Sequence, residues 1–154
     1  MPDEAFELAV RALGRRERSR AELEAWLVER GVGEPEVEAT MLRLEELGEL
    51  DDARFARCYA EDKRELSGWG AERIRGALLG RGVAPEHIEA AVAGADHSSE
   101  VERASELLVR RSERLASERD RARALGFLTR RGYAYDVAHE AIRAFASGSD
   151  PALG

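Results

Sequence analysis

The sequence predicts an all-α protein, a tandem array of three three-helix repeats, elongated or curved, and three observations carry that expectation. Ala, Leu, Glu and Arg dominate, aromatics are only 6% and β-branched residues are sparse, a balance that favours helix over sheet. A segment ending in Gly and a nonpolar residue recurs as ELEAWLVERGV, ERIRGALLGRGV and RARALGFLTRRGY, which spaces Gly31, Gly82 and Gly132 by 51 and 50 residues. Leu27, Leu78 and Leu128 stand four residues before each glycine and Leu23, Ile74 and Ala124 eight before, the spacing of one buried helix face.

The first helix is placed at 3–15, with Phe6, Ala9, Val10 and Leu13 on its apolar side. Ser19 with Glu22 has capping-box spacing and opens a second helix at 19–30, in which Trp26 joins Leu23 and Leu27 on the core side. Gly31 ends it, because a C-terminal cap needs a residue tolerant of the left-handed conformation. Pro35 suits the first turn of a third helix at 35–47, which buries Val37, Met41 and Leu44.

Asp51 is a candidate cap for a helix at 51–66 carrying Phe55, Cys58 and Tyr59, and its neighbour Asp52 reads the same way. Helices at 70–81 and 85–94 repeat the Gly82 and Pro85 punctuation. Ser99 with Glu102 has capping-box spacing for a helix at 99–115, and Ser117 with Asp120 imitates it for one at 118–131. A last helix at 135–146 carries Val137, Ala141, Ile142 and Phe145. The expected domains are therefore triplets at 1–50, 51–96 and 97–146, with a disordered tail at 147–154.

Several function classes find no support. The single cysteine, Cys58, cannot form an internal disulfide, no Cys or His pair has metal-ligand spacing, and His87, His97 and His139 are scattered singly, as surface positions would be. The sequence thus predicts no cofactor, no metal and no small-molecule substrate. No export signal opens MPDEAFELAV, and no run of about 18 apolar residues could span a membrane. A cytoplasmic monomer is expected. Gly68-Trp69-Gly70 lacks what a phosphate loop requires and reads as a turn, where Trp69 is either an exposed partner anchor or packing between helices. Without a nucleophile and base, an enzyme is not expected.

Charge gives the candidate site. The net charge is -7, but residues 1–100 carry 14 Lys and Arg against 23 Asp and Glu, and residues 101–154 carry 10 against 8. A chain of this balance is a poor general nucleic-acid binder, so its main partner should be a protein and any phosphate contact local. Arg103, Arg110 and Arg114 fall on one stripe of the seventh helix, and Arg119, Arg123 and Arg130 on one stripe of the eighth. Together they would form a guanidinium-rich face suited to carboxylates or phosphates, or else an ordinary solvated face with acidic partners such as Glu106 and Glu118. Arg15, Arg16, Arg18 and Arg20 make a second basic cluster in the first interhelical turn, whereas Arg131 reads as structural.

Four pieces in order resemble the RecX family: the Ser19–Leu27 segment; Gly48-Glu49-Leu50-Asp51-Asp52-Ala53-Arg54-Phe55-Ala56; Gly68 to Gly82; and Phe127 to Tyr133. The resemblance covers roughly residues 5–146. It implies tandem three-helix repeats and binding along the groove of the RecA filament. It further implies inhibition or modulation of recombinase, ATPase and coprotease activity in homologous recombination, DNA repair and the SOS response. This chain departs from the family's more basic charge, which points to weak DNA contact at most. The alternative from another class is a helical DNA-binding module acting without RecA.

Overall fold

The computed structural model describes residues 2–111 and 114–148. Among them are nine α-helices and no strand: α1 (Pro2–Arg15), α2 (Arg20–Glu29), α3 (Glu34–Glu46), α4 (Asp52–Ser67), α5 (Ala71–Gly80), α6 (Pro85–Val92), α7 (His97–Arg110), α8 (Glu118–Arg130) and α9 (Tyr135–Gly148). The all-helical expectation holds element by element. The expected tail lies outside the described residues from 149 onward, and 147–148 belong to α9.

The repeated Gly ends its helix in one way three times. Val32, Val83 and Tyr133 donate their backbone N–H to the carbonyls of Leu27, Leu78 and Leu128, each at 3.1 Å, and the glycine N–H groups bond one turn back. With Gly31, Gly82 and Gly132 at φ 84°, 79° and 98°, these are Schellman caps, in which a left-handed residue folds the chain back onto orphan carbonyls.

Helix starts follow from side-chain acceptors. Ser19 and Glu22 form the reciprocal capping box, and Ser117 accepts from the Asp120 N–H at 3.1 Å. Asp51 caps α4 through the Arg54 N–H at 3.1 Å. Ser19 is fully buried, and its hydroxyl also donates to the Arg81 carbonyl at 2.6 Å, whereas Ser117 is exposed. Ser19→Ala is therefore expected to cost about 1–2 kcal/mol, and Ser117→Ala about 0.5–1 kcal/mol. Denaturant midpoints at unchanged slope would measure both; equal losses would mean that the bond to Arg81 contributes nothing.

Two sequence-stated boundaries of α7 need correction. Its N-cap is Asp96, which accepts from the Ser99 N–H at 2.8 Å, so Ser99 lies inside the first turn and does not open the helix. Asp96 holds the stronger position because its carboxylate both accepts that amide and faces the positive end of the helix. At the other end α7 stops at Arg110, with Arg111 as C-cap, leaving Arg114 in the connection to α8.

The chain divides into two compact units, residues 1–59 with 77–91 and residues 60–76 with 92–154, so α4 and α5 each contribute to both. In the first unit α1, α2 and α3 pack mutually around Leu23, Leu27, Met41 and Leu44, all fully buried. In the second, α9 packs on α7 and α8 around Leu108, Leu128, Ala138 and Ala141.

Candidate partner-binding surface

The first basic cluster is partly consumed by the fold. Arg20 is ion-paired with Glu45 at 3.0 Å, Glu38 at 3.2 Å and Glu24 at 3.5 Å; the bond to Glu45 in particular raises its pKa. Arg18 donates to the Ala12 carbonyl and lies 5.5 Å from the Trp26 ring centroid, with Arg30 at 3.8 Å from the same ring. Burial, then neighbouring Arg16, lowers the Arg18 pKa. Trp26 is half-buried against the core and covered by these guanidinium planes, a cation–π arrangement. Arg15 and Arg16 are exposed.

The second group divides as well. Arg103 and Arg110 line one cleft of about 240 Å³ with Arg64, Gly68, Leu107 and Tyr133. Arg119, Arg123 and Arg130 are exposed on α8, and Arg114 is exposed beyond α7. Arg123 lies 3.9 Å from Asp120, and the Arg130 carbonyl accepts from Arg73 at 3.3 Å. Trp69 is half-buried between Lys63, 4.8 Å from the ring, and Arg73, 4.1 Å from it.

Arg81, which sequence reasoning missed, and Arg131, which it read as structural, sit where turns meet preceding helices. In the first unit Arg81 grips Glu22 with two nitrogens at 3.1 Å and covers Phe55 at 4.9 Å. Burial pushes the Glu22 carboxyl up, but the Ser19 amide and Arg81 outweigh it, so its pKa lies below the usual range. In the second unit Arg131 donates to the Ser67 carbonyl at 2.6 Å, its own carbonyl accepts from Gly70 at 2.8 Å, and Tyr133 donates to the Gly68 carbonyl at 3.1 Å. Arg131 is thus structural, closing the orphan end of α4.

Acidic residues complete both junctions. Asp52 does not cap its own helix; it accepts from the Arg20 N–H at 2.8 Å, the first amide of α2. Glu100 accepts from the Ala71 N–H at 2.7 Å, the first amide of α5. In both cases an acid just inside one helix satisfies an orphan donor of the second helix of the preceding triplet. The repeat offset that relates Gly31 to Gly82 also relates Arg20 to Ala71, but Asp52 and Glu100 do not share it, so the repeat could point to the amides and not to the acids.

Of the histidines, His97 is exposed and bonded to Glu140, with Asp136 at 3.6 Å. Its pKa is raised, chiefly by Glu140. His87 and His139 are half-buried rather than plainly on the surface, and His139 meets Tyr135 edge-on at 4.3 Å. Among the described residues no group of three or more His, Cys, Asp and Glu could hold a metal, and no helix is long and apolar enough to cross a membrane.

Residues 5–44 match the profile described as RecX, first three-helix domain, and residues 51–92 that of RecX, second three-helix domain. Over 143 residues, 93% of this chain and 93% of its counterpart, the sequence is 41% identical to a regulatory protein RecX of Thermus thermophilus. The chain belongs to the RecX family. A RecX of Mycolicibacterium vanbaalenii is 37% identical over 92% of this chain and 82% of its own length. The crystal structure of RecX from Lactobacillus salivarius superposes with a TM-score of 0.83 at 21% identity, covering 95% of this chain and 97% of that one. The RecX fold thus accounts for the triplets α1–α3 and α4–α6, and the relatives carry a regulatory role.

Proposed function

We propose that this RecX-family chain binds along a RecA recombinase filament and restrains its ATPase, strand-exchange and coprotease activity in DNA repair and the SOS response. It does so as a cytoplasmic monomer built of triplets at 1–50, 51–96 and 97–146. The similarity to regulatory RecX proteins over more than nine-tenths of the chain carries the reading. Repeated triplets let weak contacts add through linked binding, so that a modest interaction per triplet becomes substantial on an assembled partner. Arg110, Arg114, Arg119, Arg123 and Arg130 are exposed and supply cations for that contact; Arg15 and Arg16 supply two more. A net charge of -7 speaks for protein carboxylates over bare DNA.

RecA-driven ATPase and strand exchange on single-stranded DNA, followed with rising amounts of the chain, test this directly. Inhibition at substoichiometric amounts is expected, weaker at high salt and weaker in a variant with Arg110, Arg114, Arg123 and Arg130 changed to Ala. Unchanged activities with the wild-type chain would end the reading. A steeply salt-dependent gel shift with DNA alone would favour the DNA-binding module instead.

A further inference from the structure

One cleft gathers three arginines that, among the described residues, the fold leaves without a hydrogen bond or ion pair. Its volume is about 240 Å³, and Arg64, Arg103 and Arg110 line it together with Gly68, Leu107 and Tyr133. Three other half-buried arginines are committed: Arg20 meets three carboxylates, Arg81 meets Glu22, and Arg131 meets the Ser67 carbonyl. Among the described residues none of the three cleft guanidiniums makes an ion pair or a hydrogen bond. Nη2 of Arg64 is moreover buried without an acceptor, an arrangement that costs free energy.

The nearest buried acid, Glu100, feels Arg64 and Arg103 electrostatically but hydrogen-bonds neither. Oε1 of Glu100 is occupied by the Ala71 amide, and its Oε2 is buried with no hydrogen bond. The Tyr133 hydroxyl is turned to the Gly68 carbonyl, and burial pushes its pKa up to about 12, so it stays neutral and adds no competing charge. Leu107 approaches Gly68 closely enough that a Cβ there would meet its Cδ2 at 2.9 Å, which gives the cleft an apolar wall.

We propose that this cleft receives a single carboxylate side chain of a protein partner, with Arg64, Arg103 and Arg110 as its donors and Leu107 against its methylene stem. The proposal rests on the reading of the chain as a protein-binding regulator. A nucleic-acid strand fits less well: Glu65 and Glu106 also line the cleft, and the chain carries a net charge of -7. Successive phosphates would pass those carboxylates, whereas one acidic side chain brings one charge and an apolar stem.

The test is an NMR titration of the full chain, following arginine Nε–H signals and the Gly68 and Tyr133 amides. The probes are a short Glu-rich peptide, its Gln counterpart and a short oligothymidylate. Saturable shifts at Arg64, Arg103 and Arg110 with the Glu peptide alone are expected, and Arg103→Gln should weaken them about tenfold, the effect of one charge-assisted hydrogen bond. Arg110→Gln, on an exposed residue, serves as a second variant if Arg103→Gln fails to fold. Equal shifts with the Gln peptide, shifts unchanged in both variants, or tighter binding of the oligonucleotide would overturn the proposal.

A parallel ATPase assay separates the two readings. If the wild-type chain inhibits RecA and the Arg103→Gln chain inhibits equally well, the cleft is not the partner's site and the regulator reading survives. If the wild-type chain fails to inhibit, the regulator reading fails, and the peptide titration alone judges the cleft.

Discussion

Replacing Gly132 with Ala is expected to lower the stability of the chain by about 4 kcal/mol, left-handed strain and steric overlap contributing together. Its φ is +98°, a region where L side chains are strained, and an added Cβ would stand 2.3 Å from the Arg73 Cβ and 2.6 Å from the Arg73 backbone nitrogen. Backbone cannot move aside as a flexible side chain can. The opposing residue is also a glycine: a Cβ on Gly70 would meet the Gly132 carbonyl oxygen at 2.5 Å. The two backbones approach closely because the Gly132 carbonyl accepts the Glu72 N–H at 3.0 Å.

The same repeat supplies its own controls. Gly82 has φ +79° and would meet the Ala21 Cβ at 2.5 Å and its Cα only at 3.9 Å, while Gly31 has φ +84° and open space around it. Gly31→Ala should therefore cost about 1 kcal/mol, from backbone strain alone, with Gly82→Ala in between. Chemical unfolding of the full chain followed by far-UV circular dichroism would rank the three. If Gly132→Ala were no worse than Gly31→Ala, the close approach to Arg73 would not matter energetically.

That ranking shows where sequence stops informing. Periodic Leu and Ile with a glycine stop are local signals, so the helices and all three Schellman caps were legible. Which glycine is crowded depends on what lies opposite, and no local spacing reports that. The α7 boundary was misread for a related reason: Ser99 and Glu102 have the right separation, but Asp96 stands three residues earlier and takes the Ser99 amide itself.

The basic site was legible in part. Arg103 and Arg110 share a helix face, and they do line one cleft, but Arg64 joins them from α4. Arg20 looked free because Glu38 and Glu45 come from α3, which packs on α2 only after folding. The capping contacts at Ser19 and Ser117, whose partners lie within one turn, were readable; the partners that Arg20 finds on another helix were not.

Glu100 offers the second large effect, and its sign depends on which property is removed. It is 5% exposed, and burial holds its pKa above the ordinary value of 4.5, against the Ala71 amide and Arg64, Arg103 and Arg75, which favour the ionised form. Glu100→Ala leaves the Ala71 N–H buried and unpaired, at an expected loss of about 2–3 kcal/mol. Glu100→Gln keeps an acceptor for that amide and removes only the titration. A folded-state pKa above the unfolded one means that the folded chain binds the proton more tightly. The associated stability is fully present below about pH 4.5 and is lost as pH rises through the folded value. The wild-type chain should therefore lose stability relative to Glu100→Gln across that window, and Glu100→Ala should remain the least stable of the three at neutral pH. Unfolding midpoints of the three proteins from pH 4 to pH 8 would decide it. A wild-type curve that rises against the Gln variant would mean that the surrounding arginines outweigh burial, and that Glu100 is already the counter-ion of the cleft.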